Sequence, residues 1–85
     1  MYTIYAVRDC EYCELAVEEL TKRGESFFYY PMDNEIPRKL PSLQELKNRY
    51  TWTTVPIIIK TVQNKEQFIG GYTELMIYLE EEDES

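Results

Sequence analysis

The 85 residues carry 16 acidic against nine basic side chains, a net charge of −7, and 44% hydrophobic residues that include eight Tyr, three Phe and one Trp. That length supports one modest core and no second, so residues 1–85 read as a single folded domain with an acidic tail over 79–85. The acidic balance speaks against a nucleic-acid partner, whose phosphates need clustered Lys and Arg, and the complete lack of histidine removes imidazole as metal ligand or general base. No apolar stretch is long enough for a membrane span. Met1 leads straight into a strand-like run with no basic region or cleavage pattern, so a cytoplasmic protein without a membrane partner is expected.

In chain order, residues 2–7 form an apolar run of strand length, after which Cys13, Ala16, Val17 and Leu20 recur at helical spacing. Lys22 and Arg23 followed by Gly24 give that helix the cations and the left-handed terminator of a C-terminus. Residues 26–30 are aromatic and read as a second strand, parallel to the first because a whole helix separates the two. Pro31, Pro37 and Pro41 mark an irregular connection, and Ser42-Leu43-Gln44-Glu45 is a capping box opening a second helix over 43–50. Pro56 precedes Ile57-Ile58-Ile59, a β-branched triplet suited to a strand buried on both faces. A turn at Asn64-Lys65 returns the chain as an antiparallel strand over 67–69, and Gly70-Gly71 ends it. Thr73 is the expected cap of the last helix, with Tyr72 and Ile77 as its hydrophobic staple and Leu75, Tyr78 and Leu79 toward the sheet. The aromatics Tyr50, Trp52 and those over 27–30 are expected to fill or flank the core. The order βαβ, α, ββ, α gives an α/β fold: a four-stranded mixed sheet with helices on both sides.

Cys10 and Cys13 are the only cysteines, three positions apart where the first strand gives way to the first helix. Such a pair can close a disulfide on itself, and the helix N-terminus favours the thiolate that exchange chemistry needs. A Cys-x-x-Cys following the first strand of a βαβ unit is where thioredoxin-like folds carry a redox pair. Two buried structural thiols, or half of a zinc site shared between chains, are the competing reading; alone, two cysteines do not complete a structural zinc site. Pro56 as an edge-strand start and Gly70-Gly71 as an ordinary turn are equally unremarkable when taken singly.

Together, Cys10-Glu11-Tyr12-Cys13, Thr54-Val55-Pro56 and Gly70-Gly71-Tyr72-Thr73-Glu74-Leu75 make the chain resemble a dithiol glutaredoxin over nearly its whole length. The resemblance implies a thioredoxin-like (glutaredoxin) fold, with four strands and three helices, and a glutathione-dependent reduction of protein disulfides or glutathione mixed disulfides. It implies glutathione as co-substrate. An iron-sulfur cluster bridged between two chains occurs in parts of the family, but the residues of one chain offer no metal-binding constellation, and no metal is expected. Disulfide-containing proteins would be the partners, ribonucleotide reductase being one that the family often serves, and the protein would act as a monomer. Residue by residue, it makes Cys10 the nucleophile and Cys13 the resolving thiol. Tyr12, Thr54, Val55, the cis-proline Pro56, Gly71, Tyr72, Thr73 and Glu74 would form the glutathione site. The chain departs from the family pattern at Glu11, where proline is usual, and at Val7, where many members carry lysine; Arg8 stands next to that place as a substitute. Glu74 replaces the commoner aspartate.

A free cysteine has a pKa of about 8.5, and a helix N-terminus or nearby cation lowers it to roughly 3.5 to 7.5. Cys10 has that placement, whereas Cys13, one turn further in, waits as a thiol. Glu11 opposes the dipole beside Cys10 and is expected to make the protein more reducing than its relatives; a favourable acid in a helix's first turn is the plainer role. Arg8, Lys47 and Arg49 are candidates for steering the carboxylates of glutathione. The rival functions are a thioredoxin-fold electron donor reduced by a flavoprotein reductase, and a non-catalytic adaptor of the same fold.

Overall fold

The computed structural model describes residues 1–33 and 40–83, with the side chain of Asp83 excepted. Four strands and three helices follow one another as β1 (Tyr2–Ala6), α1 (Glu11–Lys22), β2 (Phe27–Pro31), α2 (Leu43–Tyr50), β3 (Ile57–Val62), β4 (Lys65–Gly70) and α3 (Tyr72–Asp83). The sheet order is β2-β1-β3-β4. β1 and β2 run parallel, and β3 is antiparallel to both β1 and β4, which is the mixed sheet read from the sequence. Of the proline-marked connection, residues 34–39, with Pro37, lie outside the described residues, as do Glu84 and Ser85 of the acidic tail. None of the helices described is long and apolar enough to cross a membrane.

Alternation along the two central strands divides the apolar side chains between the faces of the sheet. Tyr2, Ile4 and Ala6 of β1 and Ile58 of β3 join Cys13, Ala16 and Leu20 of α1 and Leu75 and Leu79 of α3 in one cluster. Tyr5, Ile57 and Ile59 point the other way and meet Leu46 of α2. The isoleucine triplet is therefore buried on both sides, as a central strand requires. Each such aliphatic side chain taken from water contributes about 1.5–3 kcal/mol.

Four local expectations are corrected. The hairpin turns on Gln63 and Asn64, both with positive φ (52° and 65°), one residue earlier than Asn64-Lys65. Val62 pairs with Lys65 across this two-residue loop, a geometry that needs φ > 0 at both central positions. Phe28 and Tyr29 are exposed, because β2 is the sheet's edge and has a neighbour on one side only. The last helix begins at Tyr72, so Thr73 lies inside its first turn and does not cap it. The Tyr72 and Ile77 staple fails with it: Ile77 is exposed, and burial of Leu75 and Leu79 sets the rotation of α3.

The far end of α3 is tied to the sheet by charge. Lys60 Nζ of β3 donates to the Tyr78 hydroxyl and to Glu82 Oε1, each at 2.9 Å, and lies 5.5 Å from the centre of the Tyr2 ring. Glu82, one of the run of terminal acids, is thus engaged in structure. Its hydrogen bonds to Lys60 and Tyr78 hold its carboxyl below the usual range, and the same contacts raise the Lys60 ammonium. Burial pushes the Tyr2 hydroxyl up to about 12, and that hydroxyl has no hydrogen-bond partner among the described residues.

Candidate active site

The site begins where β1 hands over to α1. Arg8 N–H donates to Asp33 Oδ2 at 3.0 Å and its guanidinium Nε lies 3.5 Å from the same oxygen, which ties this crossing to the end of β2. Asp9 takes a left-handed conformation (φ 52°), one that aspartate tolerates better than most residues, and turns the chain into the helix. Cys10 then stands as the N-cap of α1, with extended backbone and its Sγ accepting the Cys13 N–H at 3.1 Å. A sulfur thus occupies the place usually held by a serine or aspartate oxygen.

Cys10 and Cys13 are joined in a disulfide, their Cα atoms 5.2 Å apart. Their surroundings differ. Cys13 is fully buried in the core between α1 and the sheet, while Cys10 keeps part of its surface outside. Of the two sulfur-bearing residues, Cys10 is the one with surface open to solvent. Amide donors at the first turn of α1, on the positive end of the helix, favour a negative charge on Cys10 sulfur once the pair is reduced.

A groove of about 570 Å³ runs beside the pair, lined by Tyr12, residues 51–56 and residues 71–74. The structure brings Tyr12, Thr54, Val55, Pro56, Gly71, Tyr72, Thr73 and Glu74 together there, and the Val55–Pro56 peptide is cis. Neither cysteine lines the groove itself; Tyr12, which stands between them in sequence, joins it to the pair, and its ring stacks on that of Tyr72 with centroids 6.0 Å apart. Arg8 is not among the lining residues. Lys47 lines an adjoining pocket with Gln44 and Asn48, which shares Thr51, Trp52 and Thr53 with the groove.

The wall formed by α3 is built from a carboxylate. Glu74 Oε1 accepts the Gly71 N–H at 2.9 Å, the backward half of a capping box in which Gly71 is the N-cap and Glu74 the third helical residue. Gly70, at φ +122°, permits this: a Cβ there would stand 2.9 Å from Cβ and Cγ of Glu74. A bulge at the end of β4, where Ile58 faces Gly70 and Ile59 faces Phe68, sets up the turn.

Three groove residues were not assigned to the site from the sequence: Thr51, Trp52 and Thr53. Thr51 ends α2 in a left-handed conformation (φ 53°), uncommon for a β-branched residue, and so turns Trp52 between the core and the groove. Trp52 meets Phe68 edge-on at 5.4 Å, as its core assignment requires, yet its buried Nε1 has no acceptor among the described residues. Their position immediately before Thr54-Val55-Pro56 was the available signal. Among the described residues, no three Cys, Asp or Glu side chains gather as a metal site.

A helix-capping cysteine disulfide beside a groove with a cis-proline defines a thiol redox protein of the thioredoxin fold class. The comparisons narrow this: the glutaredoxin family model matches residues 2–63, and the chain belongs to the glutaredoxin family. Among solved structures, a buckwheat glutaredoxin in complex with glutathione superposes with a TM-score of 0.74 at 20% identity, covering 94% of this chain and 68% of that one. Glutaredoxin from Brucella melitensis gives 0.66 at 27% identity, covering 94% and 78%. The glutaredoxin-like NrdH-redoxin of Escherichia coli, which has a thioredoxin-like activity profile, gives 0.61 at 20% identity and covers 92% and 91%. A search of curated proteins finds no match.

Proposed function

We propose that the protein is a glutathione-dependent thiol-disulfide oxidoreductase that reduces protein disulfides or glutathione mixed disulfides. The observation that carries this reading is the unequal exposure of a disulfide-forming pair at the start of α1, with Cys10 accessible and Cys13 buried. In the cycle, the Cys10 thiolate attacks a substrate disulfide and forms a mixed disulfide. Cys13 or glutathione resolves it, and where Cys13 does so, two molecules of glutathione restore the dithiol and leave as glutathione disulfide. The site fits the tripeptide in kind. Val55 offers backbone at the groove, Tyr12 and Tyr72 offer ring faces, and the first turn of α3 with Thr73 and Glu74 offers polar groups to a γ-glutamyl end. Disulfide-bearing proteins, ribonucleotide reductase among them, a monomeric state and a cytoplasmic location belong to the same proposal.

One observation favours a second reading, a redoxin reduced by a flavoprotein reductase. Among the described residues no lysine or arginine lines the groove, and Glu74 is the one carboxylate there to meet the carboxylates of glutathione. The test is reduction of a glutathione mixed disulfide in a glutathione-coupled assay, run beside a flavoprotein-reductase assay. Loss with Cys10→Ser and partial retention with Cys13→Ser under glutathione supports the first reading. Turnover with the reductase alone moves the assignment to the second, and inactivity in both leaves the adaptor role.

A further inference from the structure

The charge of the groove narrows the class of substrate. Its lining among the described residues includes the aromatic residues Tyr12, Trp52 and Tyr72, the threonines Thr51, Thr53, Thr54 and Thr73, and one carboxylate, that of Glu74. Aromatic faces and a carboxylate both attract cations. Among the described residues no basic side chain lines the groove: Arg8 pairs with Asp33, and Lys47 lines the adjoining pocket. The Gly71 N–H holds Glu74 in place through Oε1 alone. Added to this is the net charge of −7, which raises the encounter rate with positive partners and lowers it with negative ones.

We propose that the groove receives the polypeptide around a substrate disulfide and selects substrates with a lysine or arginine next to the reacting cysteine. This rests on the thiol-disulfide reading above and holds for either electron donor; glutathione and polypeptide would use the groove in turn. In the step concerned, Cys10 thiolate attacks the substrate cysteine sulfur, the substrate S–S bond breaks, and its departing thiolate takes a proton from water. Cys13 then loses its proton and attacks Cys10 Sγ, releasing the second substrate thiolate. Two electrons pass to the substrate and the protein is left with the Cys10–Cys13 disulfide. Glu74 touches neither sulfur: it is a specificity residue, drawing the flanking cation onto the α3 wall while like charge repels an acidic neighbour.

The experiment is single-turnover reduction of three disulfide-linked peptide dimers by the pre-reduced protein. The peptides differ only in carrying Lys, Ala or Glu beside the cysteine, and released thiol is followed by quenched-flow mass spectrometry. The second-order rate constant is expected to fall from Lys through Ala to Glu by about fivefold to tenfold in all, the scale of an exposed charge pair with a cation over a ring. The range should shrink in high salt, and in Glu74→Gln, which keeps an acceptor for the Gly71 N–H and so keeps the cap, it should fall to about twofold or less. Equal rates for the Lys and Glu peptides, or a range unchanged in Glu74→Gln, overturn the charge selection alone. Should no peptide be reduced, the oxidoreductase reading falls and the selection with it. The salt arm uses the unaltered protein and decides the matter even if the variant misfolds.

Discussion

Helices α1 and α3 both begin at the groove, and the two beginnings are finished differently. At α1 the capping acceptor is the Cys10 sulfur, an atom that takes part in a disulfide and is freed by reduction. At α3 the helix closes on itself, with the Glu74 carboxylate folded back to the Gly71 amide. The same backbone device thus serves two purposes. Where the cap is a redox-active sulfur, the positive helix end stabilises whatever negative charge the chemistry creates. Where a carboxylate from the third helical position closes the start, the helix end becomes part of an acidic wall. The third start, at α2, has neither property: Ser42 Oγ accepts the Glu45 N–H at 3.1 Å and only stabilises its helix.

Substitutions at these places should separate the roles. The largest effect on stability is expected from Gly70→Ala, which combines an unfavourable positive φ with a Cβ forced against Glu74; about 3 kcal/mol should be lost in chemical denaturation. Because that clash displaces the α3 cap, preference among charged peptides should weaken too, while alkylation of Cys10 in the reduced protein stays unchanged. Next comes the opposite end of α3, probed by alkali. Tyr2 releases its proton near pH 10 in the unfolded chain but near 12 when folded, so the stability it contributes is complete below pH 10 and is lost as the pH rises toward 12. The raised Lys60 ammonium acts in the same direction, and thermal unfolding should show a loss on the order of 2 kcal/mol across that window. Tyr2→Phe removes the Tyr2 part of this loss and also the unpartnered buried hydroxyl, so it should be at least as stable as the parent at pH 7. Smallest is Ser42→Ala, expected to cost about 1 kcal/mol and to leave turnover intact.

Much of this architecture is legible in the residues. A strand, a helix opening on Cys10 and a second strand are enough to place the pair at the end of a parallel unit, and the isoleucine triplet marks a central strand before any coordinates exist. The misjudged features are those decided by neighbours distant in sequence. The aromatic run over 27–30 reads equally well as interior or edge, and only the sheet order, with β2 outermost, exposes Phe28 and Tyr29. Thr73 and the Tyr72 and Ile77 pair satisfy every local rule for a helix start. They lose to burial of Leu75 and Leu79, which fixes the rotation of α3, and to Gly70, whose conformation starts the helix earlier. At the site, Trp52 was legible as a packing residue and not as groove lining, because a left-handed Thr51 is not written in composition or period.

The chemistry proposed for the protein begins at the α1 start, where the partly exposed Cys10 caps the helix in front of its first amides. Alkylation of the fully reduced protein with iodoacetamide at pH 6, mapped by mass spectrometry, tests this directly. Cys10 should react about tenfold faster than a cysteine in an unstructured peptide, with Cys13 lagging well behind. A rate no greater than that of the peptide, or modification of Cys13 first, would contradict it.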